Sequence, residues 1–513
     1  MEENSMNEKV TISKVDENLI HVDADRGILM ELSERFSFFA DGYKFHPKVR
    51  AKVWDGKIRL FDSRSQTMPA GLFKELIDHC KENDYEPHFD YLEFSEEELS
   101  LAEGRAFVES VASRSTIEDF EVRDYQIETF VNCVRDRRNL SLSPTSSGKS
   151  WIIYLLAFYY RARHKYRTLV IVNSTGSVTQ LPQDFIEYGE NPENIHIIYA
   201  GKDKFSDAPI VISTWQSLQK VGSDFFEQFD VIIGDEAHQY EAKSFINIMD
   251  KAPHVRYRFG FTGTIKDSKV NKLVLEGRFG RVRQIITTRE LIDQGYAADI
   301  EIKCIVFQYD PKVKKEFRKR LEDKIKSNKT KKKNVAYDEE MDFLVSMEAR
   351  NKFITNLAGS LKGNTLVFFN LVDRHGKILY NKIKEAFPDK EVFFVAGEVD
   401  GDIRNDIRAE LEKKDNCIAV VSFGTFQTSI SIKNIHNMIF ASPFKGKIRN
   451  LQSIGRGLRK SKTKSKVELF DISDNLGIGS WKNYTIKHFA ERIKTYASEK
   501  FDYNIYNVEL KID

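Results

Sequence analysis

The residues with the clearest chemical promise are Lys149 and Ser150, which close the run Pro144-Thr145-Ser146-Ser147-Gly148-Lys149-Ser150. An apolar run, Leu140–Ser143, leads into it, and a helix is expected over Trp151–Arg163. Strand, small-residue loop, Gly-Lys-Ser and helix make a phosphate cradle, because the loop N–H groups and the helix N-terminus face an anion. Thr145, Ser146, Ser147 and Gly148 line the cradle, Lys149 suits the β- and γ-phosphates of ATP, and the Ser150 hydroxyl suits Mg²⁺. The strict pattern has glycine five residues before Gly148, where this chain has Ser143.

A second constellation follows at Phe229-Asp230-Val231-Ile232-Ile233-Gly234-Asp235-Glu236-Ala237-His238. Here an apolar strand ends in two adjacent carboxylates, and burying two acids costs stability unless something compensates. A metal and a water compensate: Asp235 would hold Mg²⁺ and Glu236 would orient and deprotonate an attacking water. His238, on the same turn, could sense the γ-phosphate. The third constellation is Gln452-Ser453-Ile454-Gly455-Arg456-Gly457-Leu458-Arg459. On a helix, Gln452, Arg456 and Arg459 share a face through steps of four and three residues. Two arginines aimed together suit the charge of a phosphoryl-transfer transition state.

The elements that must position these residues follow from hydropathy. Short apolar runs at Leu169–Asn173, Ile195–Ala200, Ile210–Ser213, Val231–Gly234 and Phe259–Thr262, separated by helical stretches, predict a parallel sheet covered on both faces. A second series begins near Ala349, with Thr365–Phe369, Val392–Val395, Ile418–Val421, Met438–Ala441 and Val467–Phe470, and predicts a second α/β lobe. Ahead of both, residues 1–100 read as a small α+β domain with a helix over Pro69–Glu82, and the alternation in Tyr43–Phe61 suggests a half-exposed sheet. A polar stretch over Ser95–Glu118 suggests a linker helix. The expected division is 1–100, a first lobe 101–285, an inter-lobe segment 286–348, a second lobe 349–478 and a helical extension 479–513.

Composition narrows the function classes. No apolar run reaches 18 residues, which argues against a membrane span and membrane partners. The acidic, polar start, Met1–Val10, is not a signal peptide. Cys80, Cys133, Cys304 and Cys417 have no metal spacing and read as reduced thiols of a cytoplasmic protein. Net charge is only +2, so nucleic-acid affinity has to come from local clusters. Lys48, Arg50, Lys52, Lys57 and Arg59 surround Trp54, a strip that could follow a phosphate backbone and stack on an opened base. The alternative is a solvated face around a core tryptophan. Twelve basic residues lie between Lys312 and Lys333 and read as an exposed insertion.

In this order the segments resemble the motifs of superfamily 2 helicases. Arg123-Asp124-Tyr125-Gln126 is similar to the family's adenine-sensing element, so the resemblance implies that Arg123, Tyr125 and Gln126 bind ATP. Pro144–Ser150, Asn173–Gln180, Ser213–Ser217, Asp235–His238, Thr262-Gly263-Thr264, Leu366–Phe369, Ser422–Ile432 and Gln452–Arg459 resemble the family's motifs I, Ia, Ib, II, III, IV, V and VI. One departure is Thr428-Ser429-Ile430-Ser431, where the family usually has Thr-Gly-Ile-Ser. Phe45-His46-Pro47-Lys48, Trp54-Asp55-Gly56-Lys57-Ile58-Arg59-Leu60, Ala396–Asp400 and Tyr496–Phe501 extend the resemblance to the UvsW family of recombination helicases of T-even phages.

The implied fold is two RecA-like parallel-sheet lobes preceded by a small α+β domain. The implied activity is ATP- and Mg²⁺-dependent remodelling of branched or duplex DNA in the cytoplasm, that of the host cell if the chain is phage-encoded. Recombination and single-strand-binding proteins are candidate partners, and a monomer is favoured. An RNA helicase, a restriction-complex motor and a nucleotide-switched DNA-binding protein without turnover are the alternatives. For DNA contacts, Ser174, Thr175, Gln180, Ser213, Thr214 and Gln216 are candidates in the first lobe, with Asn370, His375 and Arg404 in the second. Polar residues at strand ends also cap helices, which is the competing structural role. Because the motor motifs begin only at Arg123, removal of residues 1–100 is expected to leave a folded ATPase.

Overall fold

A computed structural model describes the chain from residue 8 to 511, apart from 41, 91–97, 200–204, 240–241, 264, 266–268, 328–334, 400, 430–431, 433, 443–452 and 459–463. The chain divides into two compact units, residues 1–144 with 148–286, and residues 287–513 with 145–147.

The first unit holds a small N-terminal domain and the first lobe. In the small domain, strands Lys9–Lys14, Leu19–Asp23, Thr67–Pro69 and Glu86–Asp90 form one mixed sheet. Helices Arg26–Arg35 and Phe73–Glu82 pack on it through Ile28, Leu32, Leu76 and Cys80. The segment Tyr43–Phe61 is not the expected half-exposed sheet. Only Lys57–Arg59 pairs, antiparallel with Ser37–Phe39, and the connection is a helical tip, Tyr43–Phe45 followed by Pro47–Arg50. Pro47 at a helix start, with His46 accepting from the Lys48 N–H at 3.2 Å, accounts for that turn.

The first lobe is a seven-stranded sheet in the order Val282–Gln284, Arg138–Leu142, Tyr257–Thr262, Val231–Asp235, Thr168–Val172, Ile210–Thr214, Ile195–Ile198. Every pairing is parallel. Its inner strands are buried on both faces, which is why they read as unbroken apolar runs. The stretch expected to be a linker helix is the helix Leu101–Ala112, opened by a Ser100–Glu103 capping box and packed on the lobe through Val108 and Val111.

The small domain is bolted to this lobe. The turn after Lys14 carries Glu17 and Asn18 onto it: the Glu17 N–H donates to Pro253 O at 2.8 Å. Arg138 Nη2 donates to Glu17 Oε2 at 3.0 Å, and Arg258 Nη1 donates to Asn18 Oδ1. Arg258 is completely buried, and burial together with the positive charges of Arg138 and Arg278 pushes its pKa well below the usual arginine range. Gly71 lies against the helix Lys269–Phe279 so closely that a Cβ would come within 2.1 Å of Glu276 O. Removing residues 1–100 would therefore strip partners from the buried cations Arg138 and Arg258, which weighs against an intact remainder.

The second unit is another all-parallel seven-stranded sheet. Its order is Val392–Val395, Ile418–Ser422, Thr365–Phe369, Asn437–Phe440, Lys466–Asn475, Asp299–Gln308, Asp502–Glu509. Two expectations are corrected here. The segment 286–348 is not a connection: Asp299–Gln308 lies inside the sheet, and the basic run begins as the helix Pro311–Ser327, which buries Phe317 and Leu321 beneath its lysines. Lys329, Lys331, Lys332 and Lys333 lie outside the described residues. The C-terminal extension is not only helical, because Tyr484–Ser498 is followed by the strand Asp502–Glu509. A buried ion pair and a hydrogen bond anchor that helix: Arg492 Nε donates to Asp471 Oδ2 at 2.8 Å and the Tyr496 hydroxyl donates to the same oxygen at 2.9 Å.

The four cysteines are buried free thiols. Among the described residues no helix is long and apolar enough to cross a membrane.

Candidate functional site

The cradle residues sit where the strand Arg138–Leu142 meets the helix Lys149–His164. Gly148 caps that helix at φ +80°, and a Cβ there would meet Gln126 Nε2 at 2.3 Å, so the backbone and the space both call for glycine. Thr145 and Ser146 are half-buried and Ser147 is buried, with Ser146 also at positive φ.

The parallel topology brings motifs distant in sequence to the same strand ends. The strands ending at Leu142, Asp235 and Thr262 are neighbours, so their carboxyl ends converge. Lys149 Nζ donates to Glu236 Oε1 at 2.9 Å and to Ser143 O at 3.3 Å. The Gly263 N–H reaches Glu236 Oε2 at 3.4 Å. His238 Nδ1 is hydrogen-bonded to Thr262 Oγ1 and lies 3.4 Å from Glu236 Oε2. Motifs I, II and III thus share one cluster. Asp235 accepts from the Glu236 N–H at 3.0 Å.

Burial and the neighbouring Glu236 push the Asp235 carboxyl well above the usual carboxylate range. Burial would raise Glu236 as well, but the Lys149 ammonium and His238 outweigh it and hold that carboxyl low. A cation beside Asp235 reverses the first effect. Among the described residues no group of three or more His, Cys, Asp or Glu forms a metal cage. Mg²⁺ does not need one, since it keeps waters and binds through one or two protein groups together with phosphates. The desolvated Asp235 and the Ser150 hydroxyl fit that donor set. Sequence reasoning missed the partner of Ser150, the Tyr188 hydroxyl 2.9 Å from Ser150 Oγ. Tyr188 belongs to no motif, and only the packing of the helix Thr175–Glu187 brings it there.

Beside the cradle, Arg123 is the N-cap of the helix Asp124–Asp136. Its N–H donates to Gln126 Oε1 at 3.1 Å and its Nη1 to the Tyr125 hydroxyl at 2.7 Å. The three residues form one knot, which places Gln126 against Gly148.

The second unit holds the remaining motifs. Arg456 is half-buried on a short helix over residues 453–457, while Gln452 and Arg459 lie outside the described residues. Thr428 and Ser429 belong to the helix Phe423–Ser429, and their side chains are likewise outside what the structure describes.

The nucleic-acid candidates separate. Ser174 and Thr214 are N-caps, accepting from the N–H groups of Ser177 at 3.2 Å and Ser217 at 3.3 Å. Ser213 and Thr214 are buried, whereas Thr175, Gln180 and Gln216 are exposed. His375 is fully buried and hydrogen-bonded through Nδ1 to Ser442 Oγ at 2.9 Å; burial lowers its pKa to about 3. A neutral core histidine cannot grip DNA, so that candidate is withdrawn. Asn370 Nδ2 donates to Ser442 O at 2.5 Å, and Arg404 is half-buried on the helix Gly401–Lys413.

In the small domain Lys48, Arg50 and Lys52 are exposed on the helical tip. Lys57 is paired with Glu34, and Arg59 with Asp55. Trp54 is half-buried, its indole N–H donating to Lys57 O at 2.9 Å, so it braces the hairpin.

Comparison with known proteins adds to this geometry. Residues 10–90 match the family "DNA helicase UvsW, N-terminal", and residues 119–267 match "Type III restriction enzyme, res subunit". The chain is 34% identical over 509 residues to the ATP-dependent DNA helicase uvsW of Enterobacteria phage T4, covering 96% of this chain and 98% of that one. The crystal structure of T4 UvsW matches with a TM-score of 0.52 at 31% identity, over 98% of this chain and 100% of that one. A more distant relative, the DNA 3'-5' translocase XPB2 of Sulfurisphaera tokodaii, is 22% identical over 72% of this chain and 84% of its own length.

Proposed function

The chain belongs to the UvsW family of ATP-dependent DNA helicases, and on that premise we propose that it is an ATP-driven motor that remodels branched DNA. Forks, four-way junctions and R-loops are its substrates, in recombination, replication and repair. The observation that carries this reading is the convergence of Lys149, Glu236, Gly263, His238 and Thr262 at neighbouring strand ends, which joins the phosphate cradle to the motif III segment.

In this reading Arg123, Tyr125 and Gln126 hold the adenine end of ATP. The cradle N–H groups from Thr145 to Ser150 and the Lys149 ammonium take the phosphates. Ser150 and Asp235 would hold Mg²⁺, which supplies charge neutralisation to the phosphates when bound. Glu236 orients the attacking water and accepts its proton. Gln452, Arg456 and Arg459 offset the charge that develops on the transferred phosphoryl group. His238, tied to Thr262, links the state of the phosphate site to the strand that continues into Gly263.

DNA is held chiefly by its phosphates, which tracks a strand without reading sequence. Thr175 in the first lobe, Arg404 in the second, and Lys48, Arg50 and Lys52 on the helical tip are the contacts proposed. Ser174 and Thr214 shape the loops beside them. The protein acts in the host cytoplasm, with DNA as its partner and recombination or single-strand-binding proteins as co-workers.

The test is a panel of forks, four-way junctions, R-loops and linear duplexes assayed for strand separation and branch migration with ATP. Greater activity on branched substrates than on linear duplex, with DNA-stimulated ATP hydrolysis, is expected. ATPase stimulated by RNA and not by DNA overturns the proposal.

A further inference from the structure

The hairpin from Ser37 to Arg59 carries a feature that the DNA-contact strip does not explain. Its helical tip exposes apolar side chains to solvent: Phe45 is 67% exposed, Val53 76% and, at the base of the tip, Phe39 47%. Between Tyr43 and Trp54 the sequence has four cations, Lys44, Lys48, Arg50 and Lys52, and no acid. Among the described residues none of the four enters an ion pair.

Exposed apolar side chains on the same tip as four cations that make no ion pair among the described residues suit a partner that is anionic at its edge and flat and apolar at its end. A base pair at the end of a DNA duplex has that chemistry: phosphates flank a π-face that stacks without regard to sequence.

The tip is also closely bonded within itself. The Ala40 N–H donates to Gly56 O at 2.8 Å and the Val53 N–H to Lys48 O at 2.9 Å. Phe39 and Tyr43 stack at 4.3 Å, and Tyr43 covers Gly56 so closely that a Cβ there would lie 2.4 Å from the ring. The Trp54 indole closes the base on Lys57 O. The domain beneath is fixed to the lobe that carries Lys149 by Glu17–Arg138 and Asn18–Arg258. The tip's domain is thus joined to that lobe by direct side-chain contacts.

We propose that this tip is a strand-separating wedge: Phe45 and Val53 stack on the last base pair at the junction of duplex and single strands, while Lys44, Lys48, Arg50 and Lys52 hold the flanking phosphates. The proposal rests on the branched-DNA reading and assigns to the small domain the task of opening base pairs, beyond that of adding affinity.

The experiment uses the full chain and forked DNA with a fluorescent purine analogue at the junction. The parent is compared with Phe45→Ala/Val53→Ser, with Phe45→Trp and with Lys48→Ala/Arg50→Ala/Lys52→Ala. The parent brightens the analogue on binding without nucleotide. In Phe45→Ala/Val53→Ser that signal disappears and base pairs opened per ATP hydrolysed fall about tenfold or more, the scale of one base–aromatic stack. Phe45→Trp retains both. The charge-stripped variant binds more weakly with a shallower salt slope. Equal brightening and equal opening per ATP in Phe45→Ala/Val53→Ser overturn the wedge and leave the helicase reading intact. A parent without DNA-stimulated ATPase or fork opening overturns both. If the tip substitutions abolish binding to phosphatidylserine vesicles and leave the fork signal unchanged, the patch is a membrane-facing surface and the wedge is wrong.

Discussion

Lys149 Nζ donates to Glu236 Oε1 at 2.9 Å, so the ammonium proposed for the phosphates and the carboxylate proposed for the water hold each other. In the proposed reading, nucleotide binding exchanges this pair for a Lys149–phosphate interaction and releases Glu236 to orient the water. The two residues are thus coupled, and substitutions at them have different signatures.

Lys149→Ala removes the cation proposed to hold the phosphates and is expected to weaken ATP binding and turnover together. Glu236→Gln keeps a similar shape and a hydrogen-bond acceptor for Lys149 while removing the base, so ATP stays bound and hydrolysis falls by about 10²–10⁴. Equilibrium nucleotide binding beside single-turnover phosphate release separates the two. Turnover in Glu236→Gln within a few-fold of the parent would remove Glu236 from the reaction.

Arg456→Ala is expected to lower kcat far more than ATP affinity, because the proposed role of its charge is to offset charge that develops on the phosphoryl group. Arginine fingers of this kind contribute about 10³–10⁵ in rate. Steady-state kinetics with DNA present measures the split. A change in KM with kcat untouched assigns Arg456 to ground-state binding instead.

Glu17→Ala leaves Arg138 buried without its carboxylate, a change that costs about 3–5 kcal/mol when a buried pair is broken from one side. Thermal unfolding should show the loss. Its pH dependence has a definite sign. Burial raises the Glu17 carboxyl, but Lys14 and Arg138 outweigh it and hold its pKa below 4.5 in the folded chain. The unfolded chain therefore takes up the proton first as pH falls, and the stabilisation is full above about 4.5 and lost as pH drops through the folded value. The parent should lose more stability than Glu17→Ala over that acid range, and parallel curves would contradict the assignment.

Lys48→Ala, Arg50→Ala and Lys52→Ala together should flatten the salt dependence of duplex binding by about 0.9 in log–log slope for each phosphate no longer neutralised. Lys57→Ala and Arg59→Ala should flatten it less, because those cations are already paired with Glu34 and Asp55. Titrations at several ionic strengths decide. An equal effect from both groups would mean that the ion pairs open on DNA.

The candidate chemical groups were legible in the sequence because each motif is local. Gly148-Lys149-Ser150 and Asp235–His238 need only a strand before them and a turn or helix after, and hydropathy gives both. Thr365–Phe369 could be bounded to the residue, since a strand buried on both faces has an unbroken apolar run. Amphipathic elements were harder. Pro311–Ser327 looked like an exposed insertion because only Phe317 and Leu321 of its residues are buried, too few to dominate a window crowded with lysine.

Pairings between remote segments were beyond the sequence. Nothing local marks Asn18 as the partner of Arg258, Tyr188 as the partner of Ser150 or His375 as a core residue, since each depends on where a different element packs. The tip Tyr43–Arg50 read as sheet because its alternation of basic and apolar residues fits a strand. The start at Pro47 and the left-handed Gly42 made it a helical turn instead, which turned Phe45 outward and Trp54 inward. The sequence determined which groups could do chemistry, because reactivity belongs to residue type and short spacing. The tertiary structure decided which of them face each other, because burial and pairing are set by chain segments brought together only on folding.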